Sequence, residues 1–292
     1  MLAILEDETD SPPAILERVP AWFEEWEQPL SRFRSNSELT LLNKTFDQPV
    51  KVSDTFWDVF QYALSAEAIT NGLVTPTVLD AMLDAGYDQD FDTLPRYQSR
   101  NGLQALSTVN PLSVITWDEK SQTICLPKGV RLDFGGVAKG WAAHQTVDRL
   151  KEYGPALMNA AGDIAVSGPR ADGEAWQIGV KNPFEPESDF EVLKLKRGGV
   201  ATSGRDRRHW SQNGQLRHHI INPYTGQPAE TDVMTATIIA PTVMEAEAAA
   251  KAVLILGSED GLKWIESDPV LAGIIVLENQ HTLYSQRMPE YL

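Results

Sequence analysis

One cysteine, five histidines and 25 basic side chains are all that a chain of 292 residues carries of these types. The single thiol, Cys125, excludes an intramolecular disulfide and a cysteine-built zinc cluster, which leaves a buried thiol in the strand-like run TICLP as the expectation. Against 41 acidic residues the basic ones leave a formal net charge of −16. Nucleic acid and anionic membranes are thereby excluded as general partners, because a phosphate backbone selects basic surfaces, although a local basic pocket is compatible with that sum. The opening MLAILEDETDSPP has neither a basic leader nor a long apolar run. No signal peptide or membrane anchor is read there, and the cytoplasm is the simplest address; a leader already removed would leave the same sequence. Repeats and low-complexity tracts are also absent.

An apolar content of 42% is ample for a core, and the length suits one large domain, residues 1–292, with room for two subdomains. Ser11-Pro12-Pro13 is read as opening an amphipathic helix through Phe33, and Ser53 a second in SDTFWDVFQYALSAEAI that Gly72 stops. Residues 86–111 lack periodicity and read as an insertion or connection. LSVITWD and TICLP form a predicted hairpin that leads into a strand over GVRLDF. PALMNAA, DIAVSG, AWQIGV and FEVLKL follow as strands, Asn213-Gly214 marks a further hairpin between RRHWSQ and QLRHHIIN, and VMTATIIA precedes a helix. A last helix and the strands AGIIVLE and TLYSQ complete a mixed α+β fold with much antiparallel pairing.

The stretch Asp133–Trp141, DFGGVAKGW, places an acid and two glycines where a strand should meet a helix. Unpartnered N–H groups of a first helical turn favour an anionic oxygen, and glycine permits close approach of a ligand to the backbone. A tight turn with Asp133 as a helix cap accounts for the same residues. In TVMEAEAAAKAVLILG, Thr242 is the N-cap, Glu245 completes a capping box and Gly257 is the stop. Glu247 and Lys251, four apart on that helix, share a face and read locally as a surface ion pair.

Six blocks in order, LSRFRSNSELTLLN (30–43), RLDFGGVAKGWAA (131–143), ALMNAAGDIAVSG (156–168), GVATSGRDRRHW (199–210), HHIINPYTG (218–226) and APTVMEAEAAAKAVLILG (240–257), resemble the ApbE family, the FAD:protein FMN transferases. The resemblance implies an ApbE-like α+β fold and a Mg²⁺-assisted reaction. A Thr or Ser hydroxyl of an acceptor flavoprotein attacks the FMN-side phosphorus of FAD, a phosphoester forms and AMP leaves. Hydrolysis of FAD to FMN and AMP, or flavin binding without turnover, are the alternatives.

By position, the resemblance implies FAD contacts at Phe33, Ser37, Asn43, Leu73, Val74, Thr75, Asp133, Lys139 and Ile221, and metal ligation by the Gly136 carbonyl and Glu247. His219 aligns with the histidine before the family's Ile-Asp-Pro run and is the candidate general base; His218, alternating to the other strand face, is not. Arg205, Arg207 and Arg208 form a basic cluster that suits either phosphate, an acidic target segment or solvent.

Several departures accompany the matches. No Met-Gly-Thr triplet precedes Leu30, and Thr75 and Asn222 stand where the family commonly has aspartate. Where the metal helix usually offers Asp and Thr side chains, this chain has Glu247 and Lys251. An ammonium has three donors and no acceptor, so Lys251 cannot ligate a cation. Two readings stay open: Mg²⁺ on Glu247, the Gly136 carbonyl and waters, or the Lys251 ammonium in place of the cation.

Overall fold

Antiparallel pairing of apolar runs builds most of the molecule. The computed structural model describes residues 1–6, 14–98 and 107–292, so the Ser11-Pro12-Pro13 helix start and part of the 86–111 segment lie outside the described residues. The chain divides into two compact units. Unit 1 holds Met1–Phe23, Lys139–Asp206 and Thr231–Leu292, and unit 2 holds Glu24–Ala138 and Arg207–Glu230.

Unit 1 is a seven-stranded sheet in the order Leu2–Leu5, Ala156–Ala160, Asp163–Val166, Gly198–Gly204, Val233–Ala240, Ala272–Leu277 and Thr282–Tyr284, every neighbour antiparallel. Val233–Ala240 is buried at almost every position, as expected of a strand covered on both faces. On one face the hairpin Trp176–Lys181 with Asp189–Leu195 alternates buried and exposed side chains, and Trp176, Ile178 and Leu193 join Val200, Ile239 and Ile274 in one core. On the other lies the alanine-rich helix Val243–Leu256, packed on Gly198–Gly204 and Val233–Ala240. Its predicted capping box is present: Glu245 N donates to Thr242 Oγ1 at 3.2 Å and Thr242 N to Glu245 Oε2 at 3.0 Å.

Unit 2 is assembled from short pieces around the helix Asp54–Ile69, whose N-cap is Ser53 and whose end is followed by Gly72 at φ 83°. Thr116–Asp118 and Thr123–Cys125 form the predicted hairpin, and Asn213 and Gly214, both at positive φ, turn His209–Gln212 into Gln215–His218. The short strand Tyr97–Gln98 adds to that hairpin in parallel. Helices and largely antiparallel sheets thus give the mixed α+β class that the sequence predicts.

Some expectations need correction. A strand, Leu2–Leu5, precedes the first helices because it pairs with Ala156–Ala160, a partner far away in sequence. The first α-helix runs Val19–Leu30, three residues short of Phe33, with Pro29, which supplies no N–H, in its last turn. Cys125 is half-buried rather than buried. Among the described residues, no helix is long and apolar enough to cross a membrane.

Close packing of the alanine-rich helix has a specific requirement at Gly199, where an added Cβ would run into the backbone N and Cα of Val243. Gly199→Ala is expected to destabilise the protein by about 1–3 kcal/mol. Gly168→Ala, where a Cβ meets nothing within 4 Å, should stay within about 0.5 kcal/mol of wild type. Urea midpoints of the two variants test this; equal shifts would contradict the packing argument.

Candidate functional site

In unit 2 the run GVRLDF opens on a turn, with Gly129 at φ 86°, and joins no strand, contrary to its apolar pattern. Its backbone is paired by a side chain instead. Asn43 Nδ2 donates to Leu132 O and Leu132 N donates to Asn43 Oδ1, each at 2.7 Å, so one buried amide replaces a neighbouring strand. Asp133 N donates to Pro76 O at 2.8 Å. The carboxylate of Asp133 is itself occupied: Oδ1 accepts Gly135 N at 2.8 Å and Oδ2 pairs with Arg32 Nε at 2.8 Å. The acid therefore organises the turn through Gly135 and does not cap the helix, which begins at Ala138, and Val137 and Ala138 close the turn on Phe134 O. Gly136 lies half-buried within it.

Arg32 links this turn to an aromatic cluster. Its guanidinium carbon is 4.2 Å from the Phe33 ring centroid and 4.6 Å from that of Tyr87, and Nη2 donates to Tyr87 O at 2.9 Å. Tyr87 also meets Trp210 at 5.6 Å and the His219 ring, edge on, at 6.4 Å. Phe33 stays 43% exposed, while Trp210 is buried and donates to Ala85 O. The structure thus brings Phe33, Asp133 and His219 around Arg32 and Tyr87. Arg32 sits beside Phe33 in a block already singled out, whereas nothing local marks Tyr87.

In unit 1 a second cluster forms on Glu247, whose side chain is 0% exposed. Oε1 accepts Lys251 Nζ at 3.0 Å and Lys139 Nζ at 3.2 Å; Oε2 accepts the backbone N–H of Gly140 at 2.9 Å. The reading of Glu247–Lys251 as a surface pair is corrected by this burial. Gly140 lies in the first turn of the helix Ala138–Leu150, so the anion at that helix N-terminus is the protein's own carboxylate. A Cβ on Gly140 would fall 2.7 Å from Glu247 Oε2, which explains the glycine. Lys139 is also paired with Asp163, 3% exposed, a partner that the sequence reading missed. Its signal was an acid opening an apolar strand, since buried acids are rare unless paired.

Two carboxylates and two ammonium groups thereby balance. Burial pushes the Asp163 carboxyl up, Lys139 pulls it down and Glu247 adds to the upward push, leaving it at about 6. For Glu247, burial also acts upward, but Lys251 and then Lys139 outweigh it and the carboxyl falls below its usual range. Burial disfavours the Lys139 ammonium, yet Asp163 and Glu247 hold its proton more tightly than usual.

This donor set does not fit Mg²⁺, which needs carboxylate oxygens with open lone pairs at about 2.1 Å. Both Glu247 oxygens already face donors. A divalent ion about 4 Å from one ammonium would meet repulsion on the order of 8 kcal/mol at an effective dielectric of 20. Among the described residues, no group of three or more His, Cys, Asp or Glu side chains is arranged to hold a metal.

The remaining candidates are engaged locally. Ser37 caps the helix Glu38–Leu42, Thr75 caps the turn Pro76–Val78, and Leu73, Val74 and Ile221 are buried. Asn222 Oδ1 accepts Tyr224 N at 2.9 Å, forming a turn. His218 ends its strand and bonds Ala229 O at 2.9 Å, whereas His219 lies just beyond the strand and is half-buried. The predicted basic cluster separates by role: Arg205 in unit 1 holds the Val233 and Thr231 carbonyls and pairs with Glu278, while Arg207 and Arg208 in unit 2 are exposed.

Two measurements check this description. Asn43→Ala leaves the Leu132 N–H and C=O without their partner and should cost about 2–4 kcal/mol in chemical denaturation; a neutral result would remove the clamp. Between about pH 4 and 6 folded Asp163 holds a proton that the unfolded chain releases, so its contribution to stability falls as pH rises through that window, by up to about 1 kcal/mol per pH unit, and is flat above it. Glu247, whose value is depressed, acts in the opposite sense and at lower pH. The pH dependence of wild-type stability minus that of Asp163→Asn should show this slope; a flat difference contradicts it.

Comparison with known proteins gives a consistent result. The ApbE family model matches residues 3–275. A Vibrio cholerae protein named FAD:protein FMN transferase is 27% identical over 259 residues, covering 87% of this chain and 76% of its own length. A Treponema pallidum protein of the same name is 27% identical over 286 residues, covering 91% and 78%. The crystal structure of the ApbE protein of Thermotoga maritima superposes with a TM-score of 0.84 at 26% identity, over 98% of this chain and 94% of that one. The Pseudomonas stutzeri flavinyl transferase ApbE, at 22% identity and a TM-score of 0.81 over 99% and 92%, shares the fold. With most of its length matched by one family and its architecture shared with solved members, the chain belongs to the ApbE family.

Proposed function

We propose that this chain is an FAD:protein FMN transferase, an enzyme that moves FMN from FAD to a Thr or Ser hydroxyl of an acceptor flavoprotein. The observation that carries this reading is the family match over residues 3–275, supported by relatives that bear that name and align along most of the chain. In the reaction, the acceptor oxygen bonds to the FMN-side phosphorus as the pyrophosphate P–O bond breaks. FMN becomes a phosphoester of the acceptor, and AMP leaves with the bridging oxygen. Because such transfers need little covalent help from the protein, positioning and charge neutralisation are the main tasks.

His219 is the base we assign to the hydroxyl proton. The exposed face of Phe33, stiffened by Arg32 and Tyr87, suits stacking of a flavin ring, and Leu73, Val74, Thr75 and Ile221 follow the family's FAD-contacting positions. Ser37 and Asn43 act as positioning residues, through the helix and the turn that they hold. Asp133 orders the glycine turn, and Lys139 offers charge to phosphate. Mg²⁺, implied by the resemblance at Glu247 and the Gly136 carbonyl, has no part in this reading, since two ammonium groups already hold Glu247 Oε1 and the Gly140 N–H holds Oε2.

Incubation with FAD and an apo-flavoprotein that carries FMN on a threonine in its mature form should add the mass of FMN to the acceptor and release AMP. Free FMN alone would make the chain a hydrolase, and intact bound FAD a flavin-binding protein. His219→Gln should slow transfer by about 10²–10⁴-fold with FAD affinity retained. Transfer at the full rate in that variant would remove the base assignment.

A further inference from the structure

We infer that the Lys139–Lys251 pair is a built-in replacement for the divalent cation, and that it receives the pyrophosphate of FAD directly. This deepens the flavin-transferase reading and rests on it. Each ammonium has three donors. Among the described residues, Lys251 uses one on Glu247 and Lys139 uses one on Asp163 and one on Glu247, so three N–H bonds are left for anionic oxygens. The two lysines are 15% and 35% exposed, whereas their carboxylate partners are almost fully buried, so the surface that this cluster offers a ligand is cationic.

The seat is held in place rather than loosely charged. Glu247 receives both ammonium groups on one oxygen, and its second oxygen is fixed by the Gly140 N–H. Asp163 fixes Lys139 from the sheet. A metal ion neutralises phosphate because its charge is immobile and close; an ammonium locked between carboxylates meets both conditions through charge-assisted hydrogen bonds. Lys251 is therefore a phosphate ligand of this chain, and Glu247 and Asp163 are positioning residues that hold the two cations.

FAD binding to the full chain, followed by calorimetry in EDTA and in excess Mg²⁺, tests the inference, together with Mn²⁺ as a paramagnetic probe of any metal site. Wild type should bind FAD with dissociation constants within about twofold in the two media, and should leave the Mn²⁺ resonance as it is in buffer or with FAD alone. Lys251→Thr, which restores a hydroxyl, should weaken FAD binding in EDTA by at least about tenfold and take up one Mn²⁺ per chain. Lys251→Arg should keep metal-independent binding. Should the threonine variant fail to fold by circular dichroism, the wild-type and arginine results decide alone. A tenfold or greater loss of wild-type affinity in EDTA, or stoichiometric Mn²⁺ uptake by wild type, overturns the inference while FAD binding in Mg²⁺ leaves the transferase reading standing. Absence of FAD binding in both media overturns the two together.

Discussion

A carboxylate with no solvent contact must find its charge partners inside the protein, and in unit 1 that demand falls on Glu247. Its partners fix more than an ion pair. The Gly140 N–H ties the helix Ala138–Leu150 to the helix Val243–Leu256, Lys139 carries the connection on to Asp163 in the sheet, and Lys251 closes the cluster from the helix that bears Glu247 itself. Such proximity requires small residues at the contacts. Gly140 faces Glu247, Gly199 faces the start of the alanine-rich helix, and the alanines of that helix are buried. Breaking one member would leave a buried charge behind, which is far costlier than never having built the pair.

Unit 2 solves a different problem with similar means. The residue that leads into the glycine turn is buried, its backbone groups cannot be left dry, and Asn43 supplies both a donor and an acceptor to Leu132. Asp133 divides its oxygens between Gly135 and Arg32, which joins the turn to the Phe33, Tyr87 and Trp210 rings. An arginine lying against two rings has its charge oriented and its side-chain freedom already restricted, so a planar ligand meeting Phe33 would encounter a preorganised face.

The chemistry proposed for the chain asks for such rigidity. Phosphoryl transfer depends on charge placed where oxygens develop it, and fixed ammonium groups act there without the reorganisation that mobile ones require. In a protein of net charge −16, an anionic substrate needs a local cationic seat, and lysines anchored by buried acids provide one without altering the acidity of the whole.

Local signals made much of this legible. The Ser53 and Thr242 caps, the Gly257 stop, the Asn213-Gly214 turn and the alternating runs of the sheet depend on residues within a few positions of one another, and the sequence alone therefore determined these elements, the α+β class and, through six ordered blocks, the family. Tertiary structure alone decided what the chemical groups face. Glu247 meets Lys139 and Gly140 across 108 and 107 residues, Asn43 meets Leu132 across 89, and the strand Leu2–Leu5 finds its partner at 156–159. For that reason a pair read locally as exposed became a buried four-charge cluster, and an apolar run read as a strand became a segment paired by one amide. Hydrophobic periodicity records that a side chain is buried; which charge or amide it is buried against depends on chain-distant packing that no local pattern encodes.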